Sequence, residues 1–200
     1  MTAVIGQTFK TVAGVSVAKS KSPTITVGGK SYLRIPIKTR IIEPEDDIVA
    51  VVREYAGDQV RSDDIVFVSE KVVAITQGRA VPIDKIRVSP LAARLWPFVR
   101  QVPYGIGLRT PYSMQCAIDE CGAPRILLAA FVGAIGKLLG RRGDFYRIAG
   151  VQAAAIDAPG TAGIERFRDC VIKAPKDPDR VAQAIADALG CRAAVVDVND

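Results

Sequence analysis

The sequence predicts an α+β fold of mixed α/β layers, and three observations carry that reading. Short β-branched runs alternate with helical segments along most of the chain. Three of the helices open on Ser-Pro, Thr-Pro or Asp-Pro, where a side-chain oxygen can accept from a free amide and proline fixes φ at the first turn. With 49% hydrophobic and 24% charged residues in 200, there is apolar material for one full-sized core, with or without an appendage.

Taken in order, residues 1–30 are rich in Thr, Val, Lys, Ser and Gly, lack helical periodicity, and read as an N-terminal arm or an edge hairpin turning at Val27-Gly28-Gly29-Lys30. The domain proper is expected over 31–200. Leu33 to Ile37 reads as a strand. Acids at Glu43, Glu45, Asp46 and Asp47 precede a helix from Ile48 that Gly57 ends, the polarity that unpaired amides and carbonyls favour. Ile65 to Ser69 is too short for a stable helix and suits a buried strand, followed by a turn or short helix and another extended piece. Helices are expected after Ser89-Pro90 and Thr110-Pro111 and over Arg125 to Leu139, then a strand at Phe145 to Ala149. Asp177-Pro178 opens an amphipathic helix to Leu189, and Arg192 to Val198 reads as a final strand. Because the chain stops at Asp200 straight after that strand, the domain is expected to be truncated at its C-terminus.

Several function classes fall away. The longest apolar stretch, Ile126 to Gly136 between Arg125 and Lys137, is far short of the ~18 to 20 residues of a membrane span and reads as a buried core helix. No leader pattern is present, so a cytoplasmic protein with no membrane partner is expected. Cys116, Cys121, Cys170 and Cys191 make neither a disulfide framework nor zinc spacing. Gly28-Gly29-Lys30-Ser31 lacks the leading glycine of a P-loop, and Gly105-Ile106-Gly107 lacks the third glycine of a dinucleotide fingerprint. The net charge of +6 favours anionic partners, but nothing beyond charge points to nucleic acid.

The sequence contains no histidine, which leaves carboxylates, lysine, arginine, tyrosine and serine for chemistry and favours a hard, oxygen-ligated cation such as Mg2+ or Mn2+. Candidate ligands are Asp119 and Glu120, late in a helix, and Asp144 and Asp157, flanking the Phe145 to Ala149 strand, although spacing alone favours a solvated helix end. Arg141, Arg142 and Arg147, with Lys137 a turn earlier, can hold phosphate oxygens or complement a helix C-terminus. Ser69-Glu70-Lys71 follows a buried strand, where open α/β sheets place ligands, and reads equally as a polar turn.

Beyond these patterns, Ile35-Pro36-Ile37-Lys38-Thr39, Pro44-Glu45-Asp46-Asp47-Ile48, Asp64-Ile65-Val66-Phe67-Val68-Ser69-Glu70-Lys71-Val72-Val73 and Gln77-Gly78-Arg79 resemble, in order and spacing, the opening of the coenzyme F420 gamma-glutamyl ligases. Thr110-Pro111-Tyr112-Ser113-Met114-Gln115 through Asp119-Glu120, Pro124 to Ala129, and Phe145 to Gly150 resemble a divergent branch of that family. The resemblance implies attachment of L-glutamate in gamma linkage to a deazaflavin precursor or another small carboxylate, with GTP as co-substrate, Mg2+ or Mn2+, and a homodimer. It also implies roles. Asp119 and Asp157, then Glu120 and Asp144, would hold metal; Lys71, Arg147 and Arg142 would hold phosphates; Lys38 and Thr39 would contact the acceptor. Ala117-Ile118-Asp119 stands where the family has an asparagine-rich segment ending in a metal-binding aspartate. A non-catalytic nucleotide- or anion-binding relative is the alternative.

Overall fold

The computed structural model describes residues 2–6, 23–99, 107–141, 143–161 and 163–197. The described residues form α-helices and small sheets of the α+β class, divided into two compact units: Met1–Thr76 with Asp177–Val198, and Gln77–Lys176.

The first unit is built on a five-stranded sheet. Its strands are β1 (Thr2–Gly6), β2 (Thr24–Val27), β3 (Lys30–Pro36), β4 (Ile65–Ser69) and a late strand, β7 (Arg192–Val196), in the spatial order β2-β3-β1-β4-β7. Gly28 and Gly29, both at positive φ (57° and 76°), make the two-residue loop that joins β2 to β3, a conformation only glycine adopts cheaply. β1, inside the stretch read as an arm or hairpin, pairs antiparallel with both β3 and β4. Helix α1 (Ile48–Ala56) is capped by Asp47, whose carboxylate accepts from the Val49 amide, and α2 (Glu70–Thr76) follows β4 directly. Val51, Val52 and Ala56 of α1 form a core with Val66 and Val68 of β4 and with Ile185 of α8 (Pro178–Leu189). Asp177 opens α8 at φ 45° without a side-chain cap.

The second unit is mainly helical, around a two-stranded sheet of β5 (Ala80–Pro82) and β6 (Cys170–Ile172). Its helices are α3 (Pro90–Leu95), α4 (Pro111–Cys121), α5 (Ala123–Leu138), α6 (Asp144–Ala149) and α7 (Val151–Ala154). Ser89 caps α3, and Thr110 forms a reciprocal capping box with Ser113 on α4, as the Ser-Pro and Thr-Pro pairs predict. Met114, Cys116, Ile126, Ala129, Ala149 and Val171 close the core.

Two expectations are corrected. Phe145 to Ala149 is helix, not strand: Gly143 (φ 84°) starts α6 and Gly150 (φ 94°) ends it. A side chain at Gly133 would stand 3.0 Å from the Phe145 Cβ, and one at Gly136 would stand 2.3 Å from the Asp144 Oδ2. The two glycines are thus the seat of α6, and this docking overrides the β propensity of the run. Nor is Ile126 to Gly136 a buried core helix. Ile126, Ala129 and Gly136 are buried, while Leu127, Leu128, Phe131 and Ile135 are exposed. No single helix among the described residues is long and apolar enough to cross a membrane.

Candidate functional site

The sheet of the first unit brings one group of the predicted residues together. Because β1 runs antiparallel to both β3 and β4, and β4 pairs parallel with β7, the strands β3, β4 and β7 all run the same way. Their register places Pro36, Thr2, Phe67 and Ala194 in one row. Lys38 and Thr39 therefore follow β3 at the edge where Ser69 ends β4 and α2, which carries Lys71, begins; β3 and β4 stand about 10 Å apart with β1 between them. Lys38 is exposed, and Thr39 and Lys71 are half-buried. The carboxyl edge of parallel strands is where open α/β sheets bind ligands, and two ammonium groups with a hydroxyl suit a carboxylate or a phosphate.

The loop that carries Lys38 and Thr39 is fixed at both ends. Ile37 and Ile42 are buried, and between them Arg40 grips Asp46 with two parallel bonds, Nη1 to Oδ2 at 2.6 Å and Nη2 to Oδ1 at 2.7 Å. The Glu43 amide also donates to Asp46 Oδ2 at 2.7 Å. Bidentate charge-assisted pairing is directional, so it orients the loop rather than merely attracting it. The Arg40 guanidinium, with help from that amide, holds the Asp46 carboxyl down at about 2. Sequence reasoning gave Arg40 no role and read Asp46 only as one of the acids before the helix at Ile48. Nor did it single out Asp197, which follows β7 at the same edge.

The four carboxylates read as metal ligands, with Arg147, lie in the second unit and do not gather. Asp119 is exposed and accepts from Gln115 Nε2 at 2.7 Å. Glu120 is bracketed by Arg79 at 2.6 Å and Lys173 at 3.1 Å. Burial pushes its carboxyl up, but the hydrogen bonds from the two cations outweigh that and leave it below the usual glutamate range. Asp144 is buried between Arg141 at 3.2 Å and Arg147 at 3.5 Å. Asp157 exchanges backbone hydrogen bonds with Ile172. Arg142 lies outside the described residues. Among the described residues no three His, Cys, Asp or Glu side chains are placed to hold a metal ion. The donor set therefore does not form a cation cage; a hard cation would need phosphates and water for most of its ligands.

The Arg79–Glu120–Lys173 cluster is itself a feature the sequence did not reveal. Arg79 is 7% exposed and also donates through Nε to the Ala174 carbonyl. The contacts span 41 and 53 residues, so no local spacing signals them. Cys116 lies nearby in the core, where burial raises its thiol to about 11 and keeps it protonated at neutral pH. All four cysteines are unpaired thiols.

A family model described as F420-0:Gamma-glutamyl ligase matches residues 36–199, which include Lys38, Thr39, Arg40, Asp46 and Lys71. No curated protein matches the chain.

Proposed function

The chain belongs to the F420-0:gamma-glutamyl ligase family, and from that premise we propose that it adds L-glutamate, in gamma linkage, to a coenzyme F420 precursor or a related small carboxylate, using GTP with Mg2+ or Mn2+. The observation that carries the site assignment is the emergence of Lys38, Thr39 and Lys71 at one sheet edge inside the matched segment. In the proposed sequence an acceptor carboxylate oxygen attacks the γ-phosphorus, the bond to the bridging oxygen breaks and GDP leaves. The glutamate amine then attacks the acyl carbon of the resulting acyl phosphate, phosphate departs, and the amine gives up a proton. Such chemistry is chiefly positioning and charge neutralisation. Lys71 is assigned to the phosphates, and Lys38 with Thr39 to the acceptor carboxylate, on a loop that the Arg40–Asp46 pair orients. A cation would arrive with the nucleotide, with phosphates and water supplying most of its ligands. A homodimer is part of the same proposal.

Calorimetric titration with GTP and with ATP, first with Mn2+ and then with chelator, tests it, followed by a coupled assay with glutamate and the deazaflavin precursor. Saturable, metal-dependent GTP binding is expected, weakened about 10- to 100-fold in Lys71→Ala, the scale of a lost charge-assisted hydrogen bond. Unchanged GTP affinity in that variant would sink the site assignment. A second reading, an anion-binding relative without catalysis, is favoured by the absence of three converging metal donors among the described residues. It requires nucleotide affinity indifferent to chelator and no product.

A further inference from the structure

Helix α5 has Arg125 and Lys137 near its ends and no charged residue between them, yet it leaves most of its large side chains outside. Ala129, Gly133 and Gly136 are turned inward, and the last two seat α6. Leu127, Leu128, Phe131, Ile135 and Leu138 form a continuous outward stripe at i, i+3, i+4 spacing, with Phe131 65% and Leu138 87% exposed. Large apolar side chains exposed side by side, rather than singly, mark an interaction site. At 16 residues the helix is about 24 Å long, short of a membrane span but suited to lying along a surface.

The charges at its border identify the partner. Arg125, Lys137, Arg141 and Arg147 are exposed around the stripe, and α5 has no acidic residue. The nearest acid, Asp144, is buried and shared between Arg141 and Arg147, so that trio keeps a net positive charge. Arg141, Arg147 and the Asp144 between them line a hollow of about 190 Å³ with the apolar Ile135, Leu139 and Ile148. A second copy laid along α5 would set cations against cations whether the helices ran parallel or antiparallel, with no acid on either helix to answer them. An anionic lipid surface answers both features: acyl chains accept the leucines and phenylalanine, while phosphates meet the cationic border. The same unit shows Phe98 83% exposed in a Trp96-Pro97-Phe98 turn near exposed Arg94, a second pairing of aromatic and cation suited to the membrane interface.

We propose that the outward face of α5 docks the protein peripherally onto anionic phospholipid, with its leucines and Phe131 entering the interface and Lys137, Arg141 and Arg147 contacting lipid phosphates. The proposal does not depend on the ligase reading. The full chain is sedimented with vesicles of phosphatidylcholine alone, or of two parts phosphatidylcholine to one part phosphatidylglycerol, at low and high salt, and its mass in solution is measured in parallel. Co-sedimentation is expected with the anionic vesicles, falling with salt and lost in Phe131→Glu/Leu138→Glu. Lys137→Gln, at an exposed position that leaves the fold intact, should weaken it about fivefold, the scale of one basic residue at an anionic surface. Absence of co-sedimentation, or equal binding to neutral vesicles, overturns the assignment. So does a wild-type dimer that the double variant splits into monomers without any vesicle binding, which would give the face to a second copy.

Discussion

Helices α8 and α5 are the longest of their respective units among the described residues, and they treat their large side chains in opposite ways. In α8, Val181, Ile185 and Leu189 turn toward the core at i, i+4, i+8, and Arg180, Gln183 and Asp187 face water. In α5 Ile126, Ala129 and Gly136 are buried, while Leu127, Leu128, Phe131, Ile135 and Leu138 are left outside. The contrast teaches that apolar content alone does not say which way a helix faces. Width of the polar arc does for α8, whereas α5 has no such arc and its orientation is set by where a glycine pair admits a neighbouring helix.

Substitutions should separate the two cases. The largest effect is expected at Ile185, 1% exposed: Ile185→Ala should cost about 3 kcal/mol by removing buried methyl groups and leaving a cavity, measurable by denaturant titration. A loss below about 1 kcal/mol would mean the site collapses around the gap. Next comes Gly136→Ala, where the new methyl would meet an Asp144 carboxylate already held by Arg141; about 2 kcal/mol is expected, the cost of overpacking. A neutral result would show that α6 can shift off its seat.

The two ionic clusters repeat the contrast at smaller scale. The two carboxylates are equally covered, Asp46 17% and Glu120 18% exposed, but Arg40 is 46% exposed whereas Arg79 and Lys173 are 8% and 18%. Both carboxyls are depressed in the folded protein, so the stability they supply is present above the ordinary carboxylate pKa and is lost as pH falls through the folded value, about 2 for Asp46. Acid unfolding should therefore shift more in Glu120→Gln than in Asp46→Asn, because the former leaves Arg79 and Lys173 without their anion in a dry setting, while the latter breaks a pair that water screens. Equal acid midpoints for the two variants would show that burial does not distinguish the clusters.

Much of this was legible in the sequence where the physics is local. The Ser89-Pro90 and Thr110-Pro111 caps fixed the starts of α3 and α4, and Gly28-Gly29 fixed the hairpin. Phe145 to Ala149 was not legible as helix, because the deciding contact lies with Gly133 and Gly136 on another element. The site divides in the same way. Lys38, Thr39 and Lys71 could be picked out singly, but their common edge depends on β1 entering between β3 and β4, a pairing no spacing announces. Glu120 and Asp144 looked like ligands because sequence shows acids and not the arginines and lysine that already hold them.

The position of β1 and β7 in the first sheet also sets an order of assembly. Strand β4 has β1 on one side and β7 on the other, so its two neighbours come from opposite ends of the described chain, and the whole second unit is spelled out between β4 and β7. On the ribosome, Gln77–Lys176 is a continuous stretch that can collapse as it emerges, whereas the first unit must wait with an unpaired edge until Arg192–Val196 arrives. A chain halted before Arg192–Val196 is made would thus leave the β4 edge in water after the helical unit has been spelled out, which makes that stretch of synthesis the one at which the first unit is most exposed to aggregation.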